Sequence, residues 1–128
     1  MRVAVVEADM TKPGGGQLVA LECARGLKEA GHDVVFVTGA VSERVLRIFG
    51  GLPRGVEVVE VAPGLRKFRA YKNVLVGHVG ERLDVDAVVN VYGAHLFAPP
   101  PRGRAVYKFV FFPFTILDRY PRGLRRFY

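Results

Sequence analysis

Three consecutive glycines, Gly14, Gly15 and Gly16, stand between a short β-branched run and a helical pattern. This placement limits the fold more than any other feature of the chain. Arg2 to Val6 reads as a strand buried on both faces of a parallel sheet, because it has no polar alternation. From Gln17 to Ala30 the residues Val19, Ala20, Cys23, Leu27 and Ala30 recur at helical spacing, with Glu22, Arg25 and Glu29 on the other side. Gly31 suits the left-handed position that ends a helix. Asp33 to Thr38 is a second buried strand. Strand, glycine turn, helix and strand in so short a span make a βαβ crossover, with its helix N-terminus where an anion would sit.

The pattern then repeats without any repeat in sequence. A short helix runs from Ser42, its N-cap, to Phe49, and Gly50, Gly51 and Pro53 end it. Val56 to Val61 is the third strand and Ala62-Pro63-Gly64 a turn. Leu65 to Leu83 is the longest helix, weakened locally by Gly77 and Gly80. Asp86 to Val91 is the fourth strand, and Tyr92 to Gly103 a proline-rich loop. Ala105 to Phe112 is the fifth strand, and the residues from Pro113 to Tyr128 are turn-like before a short helix. Strands alternating with helices predict an α/β fold. The expected form is one Rossmann-like, doubly wound, mainly parallel sheet of about five strands across residues 1–128.

Composition narrows the function classes. The single cysteine, Cys23, lies on the first helix's apolar face, so it reads as a core thiol and suits a cytosolic chain. Met1 leads straight into the first strand, so no signal peptide is expected. No apolar run reaches the ~20 residues of a membrane span. The net charge of +7 is uneven. Up to residue 98 basic and acidic residues nearly cancel, whereas Arg102, Arg104, Lys108, Arg119, Arg122, Arg125 and Arg126 face only Asp118 beyond it. Such a block meets anionic lipid, phosphate, nucleic acid or an acidic protein surface. Heavy use of valine and arginine hints at a thermophilic source. The abrupt end at Arg125-Arg126-Phe127-Tyr128 reads as a helix cut in its middle, so the chain is expected to continue.

Four stretches carry candidate chemistry. Lys12 with Gly14, Gly15, Gly16 and Gln17 would bring backbone N–H groups and a cation to a phosphate. The bland alternative is a flexible turn. Neither sharp phosphate motif is present: no lysine follows the glycines, and Val19 breaks the dinucleotide pattern. Leu65, Arg66, Lys67, Phe68 and Arg69 interleave cations with large apolar groups, as a helix lying on an anionic membrane does, or a solvated helix face. Tyr92 and His95 follow the fourth strand, where open parallel sheets bind ligands. His95 is the candidate general base, against a structural histidine. His32 is expected to serve the end of the first helix, and His78 to be inert. Aromatics from Tyr107 to Tyr120 read as a buried strand and an interdomain surface, or as a stacking platform. One cysteine and three scattered histidines form no metal set.

In this order the chain resembles the N-terminal half of a GT-B retaining glycosyltransferase. The similarity runs through Val3 to Val6, Gly14 to Leu21 and Ala24 to Thr38. Gly93 to Pro99 and Lys108 to Ile116 are similar to the subgroup that adds mannose to lipid-linked oligosaccharides. The resemblance implies that the glycines touch the donor diphosphate and that the sheet's carboxyl ends hold the acceptor. With it the candidate binding residues are Lys12, Gly14, Gly15, Gly16, Gln17, Tyr92, Gly93 and Thr115. No cofactor is implied: the nucleotide sugar is a substrate, held mainly by a C-terminal donor domain that this chain lacks. That domain and an anionic membrane surface are the expected partners, and the location is cytoplasmic, peripheral to the membrane. A lone half with an exposed cleft face would favour self-association. Gln17 replaces the usual acid, and Phe111 or Phe112 the usual histidine. No transfer is therefore expected from the chain alone. Two alternatives stay open: a non-catalytic scaffold of the same fold, and a basic nucleotide- or nucleic-acid-binding module. Nucleic acid is not expected under the main reading.

Overall fold

Val3, Ala4, Val5 and Val6 are each 2 % exposed or less, so the first strand has no solvent face. The computed structural model describes residues 1–61, 69–91 and 105–108. The strands are β1 (Arg2–Glu7), β2 (Asp33–Thr38), β3 (Glu57–Glu60), β4 (Ala87–Asn90) and β5 (Ala105–Lys108). The helices are α1 (Gly15–Glu29), α2 (Glu43–Ile48) and α3 (Arg69–Arg82). All strand pairs are parallel, and the order is β3-β2-β1-β4-β5. Because side chains alternate across a strand, β1 and β2 feed two cores. Val5, Val34 and Phe36 pack with Ala20, Leu21 and Ala24 of α1 and Val45 of α2. Ala4, Val6, Val35 and Val37 pack with Val76 of α3 on the opposite face. The sheet is doubly wound.

Helix α1 starts at Gly15, two residues ahead of the predicted start at Gln17. Gly14 is extended, with φ near −174°, a conformation open to any residue. The glycine run is thus the cap and first turn of the helix. Ala20, Leu21 and Ala24 form the buried stripe of α1, while Val19, Cys23 and Leu27 pack at its margin and Ala30 is exposed. The predicted stripe was rotated by about one residue. Small alanines, uninformative as hydrophobes, are what let the helix approach the sheet. The helix ends as expected: Gly31 has φ +89°, its N–H reaches the Lys28 carbonyl, and the His32 N–H reaches that of Leu27. The His32 ring also meets the N-terminal amine of Met1, with Nδ1 at 3.3 Å.

Ser42 stands at the N-cap of α2, but its side chain makes no cap bond. Its backbone N–H is instead drawn to the Met10 carbonyl at 3.1 Å. Arg25 does more than the predicted surface pairing with Glu22. Its guanidinium also donates to the Phe49 carbonyl and, at 3.0 Å, to that of Gly51, closing the exposed end of α2. Arg25→Met is expected to cost roughly 1–2 kcal/mol, since two partly buried carbonyls lose a charged donor. Urea denaturation of the two proteins measures the difference.

Strands β3 and β4 are shorter than predicted. Strand β3 loses Val56 and Val61 and is largely exposed at the sheet edge. Strand β4 loses Asp86, whose carboxylate accepts the Arg2 N–H at 2.8 Å. Only Ala105–Lys108 of the fifth strand is described, and α3 is described from Arg69. The turn at 62–64, the helix start at 65–68, the loop at 92–103 and the segments 109–112 and 113–128 lie outside the described residues. Gly80 is a contact residue: a Cβ there would overlap the Cγ2 methyl of Val6. Whatever helix propensity it forgoes, its lack of a side chain lets α3 settle onto β1. His78 is exposed, and its Nδ1 lies 3.0 Å from Arg82 Nη1.

Candidate functional site at the carboxyl edge of the sheet

Among the described residues, three polar side chains are buried: Glu7, Thr38 and Asn90. They are the last residues of β1, β2 and β4, so all three lie at the carboxyl edge. Thr38 is the register partner of Glu7, and Asn90 that of Val6. From β1 the chain continues outward on both sides, to β2 and to β4, so this edge holds the topological switch point. Between Arg2 and Asp33 at the amino ends and these three residues the strands are apolar, so the buried polar groups gather at the carboxyl end.

Glu7 is the residue that sequence reasoning missed. It is 5 % exposed and has no ion-pair partner among the described residues. The Asp9 N–H donates to its Oε1 at 3.3 Å. An ideal Cβ on Gly16 would lie 3.4 Å from Oε2, so the carboxyl is packed under the first turn of α1. Burial pushes its pKa from an ordinary 4.5 up to about 7. The backbone N–H groups of Asp9 and Ala8 pull the other way, and the Asp9 carboxylate adds slightly to the rise. A carboxyl that changes protonation near neutral pH is suited to proton exchange or to hydroxyl recognition. The available signal was an acid closing an otherwise apolar buried strand.

The loop between β1 and α1 is pinned, not slack. Met10 and Val41 form a parallel bridge beyond the strands, with the Met10 N–H on the Ala40 carbonyl at 3.0 Å. Asp9 Oδ1 accepts the Thr11 N–H at 2.9 Å and its hydroxyl at 2.5 Å. Gln17 Nε2 donates to the Asp9 carbonyl at 2.8 Å, and its Oε1 folds over Gly14. The predicted group of Gly14, Gly15, Gly16 and Gln17 is therefore assembled at the edge. Lys12 is exposed beside it. Tyr92, Gly93, His95 and Thr115 lie outside the described residues, as do Leu65, Arg66, Lys67 and Phe68, while Arg69 opens α3.

Other features do not converge on a site. A groove of about 390 Å³ lies at the far end of α1, lined by Arg25, Lys28, Glu29 and Gly50 to Pro53. Its guanidinium is already engaged by the carbonyls of Phe49 and Gly51. Burial raises the Cys23 thiol above its usual range, as expected at the margin of a core. Among the described residues no three His, Cys, Asp or Glu side chains converge to hold a metal ion. None of their helices is long and apolar enough to cross a membrane.

Fold and edge together define a doubly wound, parallel α/β protein whose buried polar groups, among the described residues, gather at the switch-point edge. Comparison with family models, with curated proteins and with solved structures finds no match to this chain.

Proposed function

We propose that this chain is the acceptor-side half of a glycosyltransferase, a domain that binds a sugar- or lipid-linked hydroxyl compound and transfers sugar only together with a nucleotide-sugar-binding domain. The observation that carries this reading is the gathering of Glu7, Thr38 and Asn90 at one sheet edge, with Glu7 under a helix opened by glycines. An edge of that kind suits a hydroxylated ligand, for which hydrogen bonding outweighs charge. Tyr92 and His95, next along the chain from β4, are assigned to the same ligand, with His95 as its general base. The stretch from Leu65 to Arg69 is assigned to an anionic membrane surface on the cytoplasmic side.

The test uses the chain by itself. Vesicles carrying a prenyl-linked oligosaccharide should bind it saturably, whereas GDP-mannose should not, and no mannose should be transferred. Saturable binding of GDP-mannose without binding of the glycolipid would overturn the assignment.

A further inference from the structure

Strand β3 lies at one edge of the sheet and pairs with β2 alone. Just beyond it, the Val61 N–H donates to the Thr38 carbonyl at 2.8 Å. Successive residues of a strand turn their backbone groups to opposite sides. Glu57 and Val59 therefore turn theirs toward β2, as Val61 does, and Val58 and Glu60 turn theirs outward. Neither outward N–H has a partner among the described residues. The side chains leave the approach open, since Glu57 and Glu60 are exposed and Val58 is 41 % exposed. Such an edge is a template for another strand. Acids often guard an edge of this kind, but here both are drawn back onto their own chain. Glu57 Oε2 lies 3.1 Å from Arg2 Nη2, and Glu60 Oε1 accepts the Val41 N–H at 3.3 Å.

The residues from Val56 to Val61 read Val-Glu-Val-Val-Glu-Val, the same in both directions. A second copy laid antiparallel beside β3 presents that same pattern, and the backbone decides the register. A twofold axis between Val58 and Val59 would set Glu57 against Glu60, but it also sets outward groups of one copy against inward groups of the other. An axis on Glu57 or Glu60 sets that acid against itself. An axis on Val58 needs the Val56 N–H, which already donates to the Pro53 carbonyl at 3.4 Å. With the axis on Val59, the outward groups of Val58 meet those of Glu60 in the other copy, and the reverse, without breaking a bond in either chain. Each acid then stands opposite a valine: Glu60 opposite Val58 and Glu57 opposite Val61. The two Val59 side chains meet at the close, non-hydrogen-bonded position.

We propose that two copies of this chain associate through β3, antiparallel about Val59, into one continuous sheet. The partner is a second copy because the edge is complementary to itself, in its hydrogen-bonding groups and in the placing of its acids against valines. The contact runs along the side of the sheet and does not use the carboxyl edge, so it stands apart from the acceptor-half reading.

Sedimentation equilibrium of the full chain, from micromolar to millimolar concentration, tests it. A contact confined to short strands belongs to the weak end of specific interfaces, so the mass should rise from one chain to two within that range. Val58→Pro removes an outward N–H, at a place where an edge strand accepts proline. It should weaken association at least about tenfold while the circular dichroism of the dilute chain stays native. Hydrogen exchange of the native chain needs no variant. The Val58 and Glu60 amides should exchange more slowly as concentration rises, and those of Gly15 and Gly16 at the carboxyl edge should not change. A single chain at every concentration, association untouched by Val58→Pro, or exchange at Val58 and Glu60 that ignores concentration overturns the proposal.

Discussion

Raising the pH from about 4 to about 8 is expected to cost the folded chain about 3 kcal/mol through Glu7 alone, and Glu7→Gln to remove that loss. The sign follows from the direction of the shift. Burial raises the Glu7 pKa from 4.5 to about 7 in the folded chain, so the fold holds this proton more tightly than the unfolded chain does. Below the lower value both states are protonated, and the contribution is fully present. As pH rises through the window the unfolded chain gives up its proton first, and stability falls. Above about 7 both states are ionised, and no further loss comes from this group. Urea titrations of native and Glu7→Gln chains across the window measure it. The two proteins differ at this position alone, so the difference between the two curves isolates Glu7. Parallel curves would show that the carboxyl is better solvated than its burial implies.

Gly80→Ala is expected to destabilise the chain by about 2 kcal/mol even though alanine is the better helix former by about 1 kcal/mol. The added Cβ would overlap the Val6 Cγ2 methyl. Val6 cannot retreat, because it is fully buried between β2 and β4 in the middle of the sheet. The new methyl must therefore push α3 off β1. Gly26→Ala is the control: Gly26 is exposed in α1, and a Cβ there meets nothing within 4 Å. That change should stabilise by about 0.5–1 kcal/mol. Thermal unfolding of the two variants should shift in opposite directions. Shifts of the same sign would mean that helix propensity, not packing on Val6, governs position 80.

Much of the architecture was legible in the chain. Val3 to Val6 and Val34 to Val37 lack alternation, which only strands covered on both faces tolerate, and each is such a strand. Gly31 has no Cβ to oppose a left-handed turn, and the turn is there. These features act within a few residues, so their spacing in sequence is enough. Ser42 shows where local reasoning stops. It is the right residue type at the right place, yet its backbone is drawn to Met10, thirty-two positions earlier, and its side chain caps nothing.

The site was less legible for the same reason. Gly14, Gly15, Gly16 and Gln17 announce themselves, because a glycine run before a helix is a local signal. Glu7 does not, since an acid after Val6 reads as the first solvated residue past a strand. Its burial depends on Gly16 of α1 lying over it and on Thr38 beside it on the neighbouring strand. The sequence by itself determined the elements, their alternation and a parallel sheet, because those follow from periodicity and backbone freedom. The tertiary structure alone decided that Glu7 is enclosed, that Arg25 closes α2 and that Gly80 is a contact surface. Desolvation, charge pairing and steric fit act between residues brought together by folding, and no spacing along the chain records them.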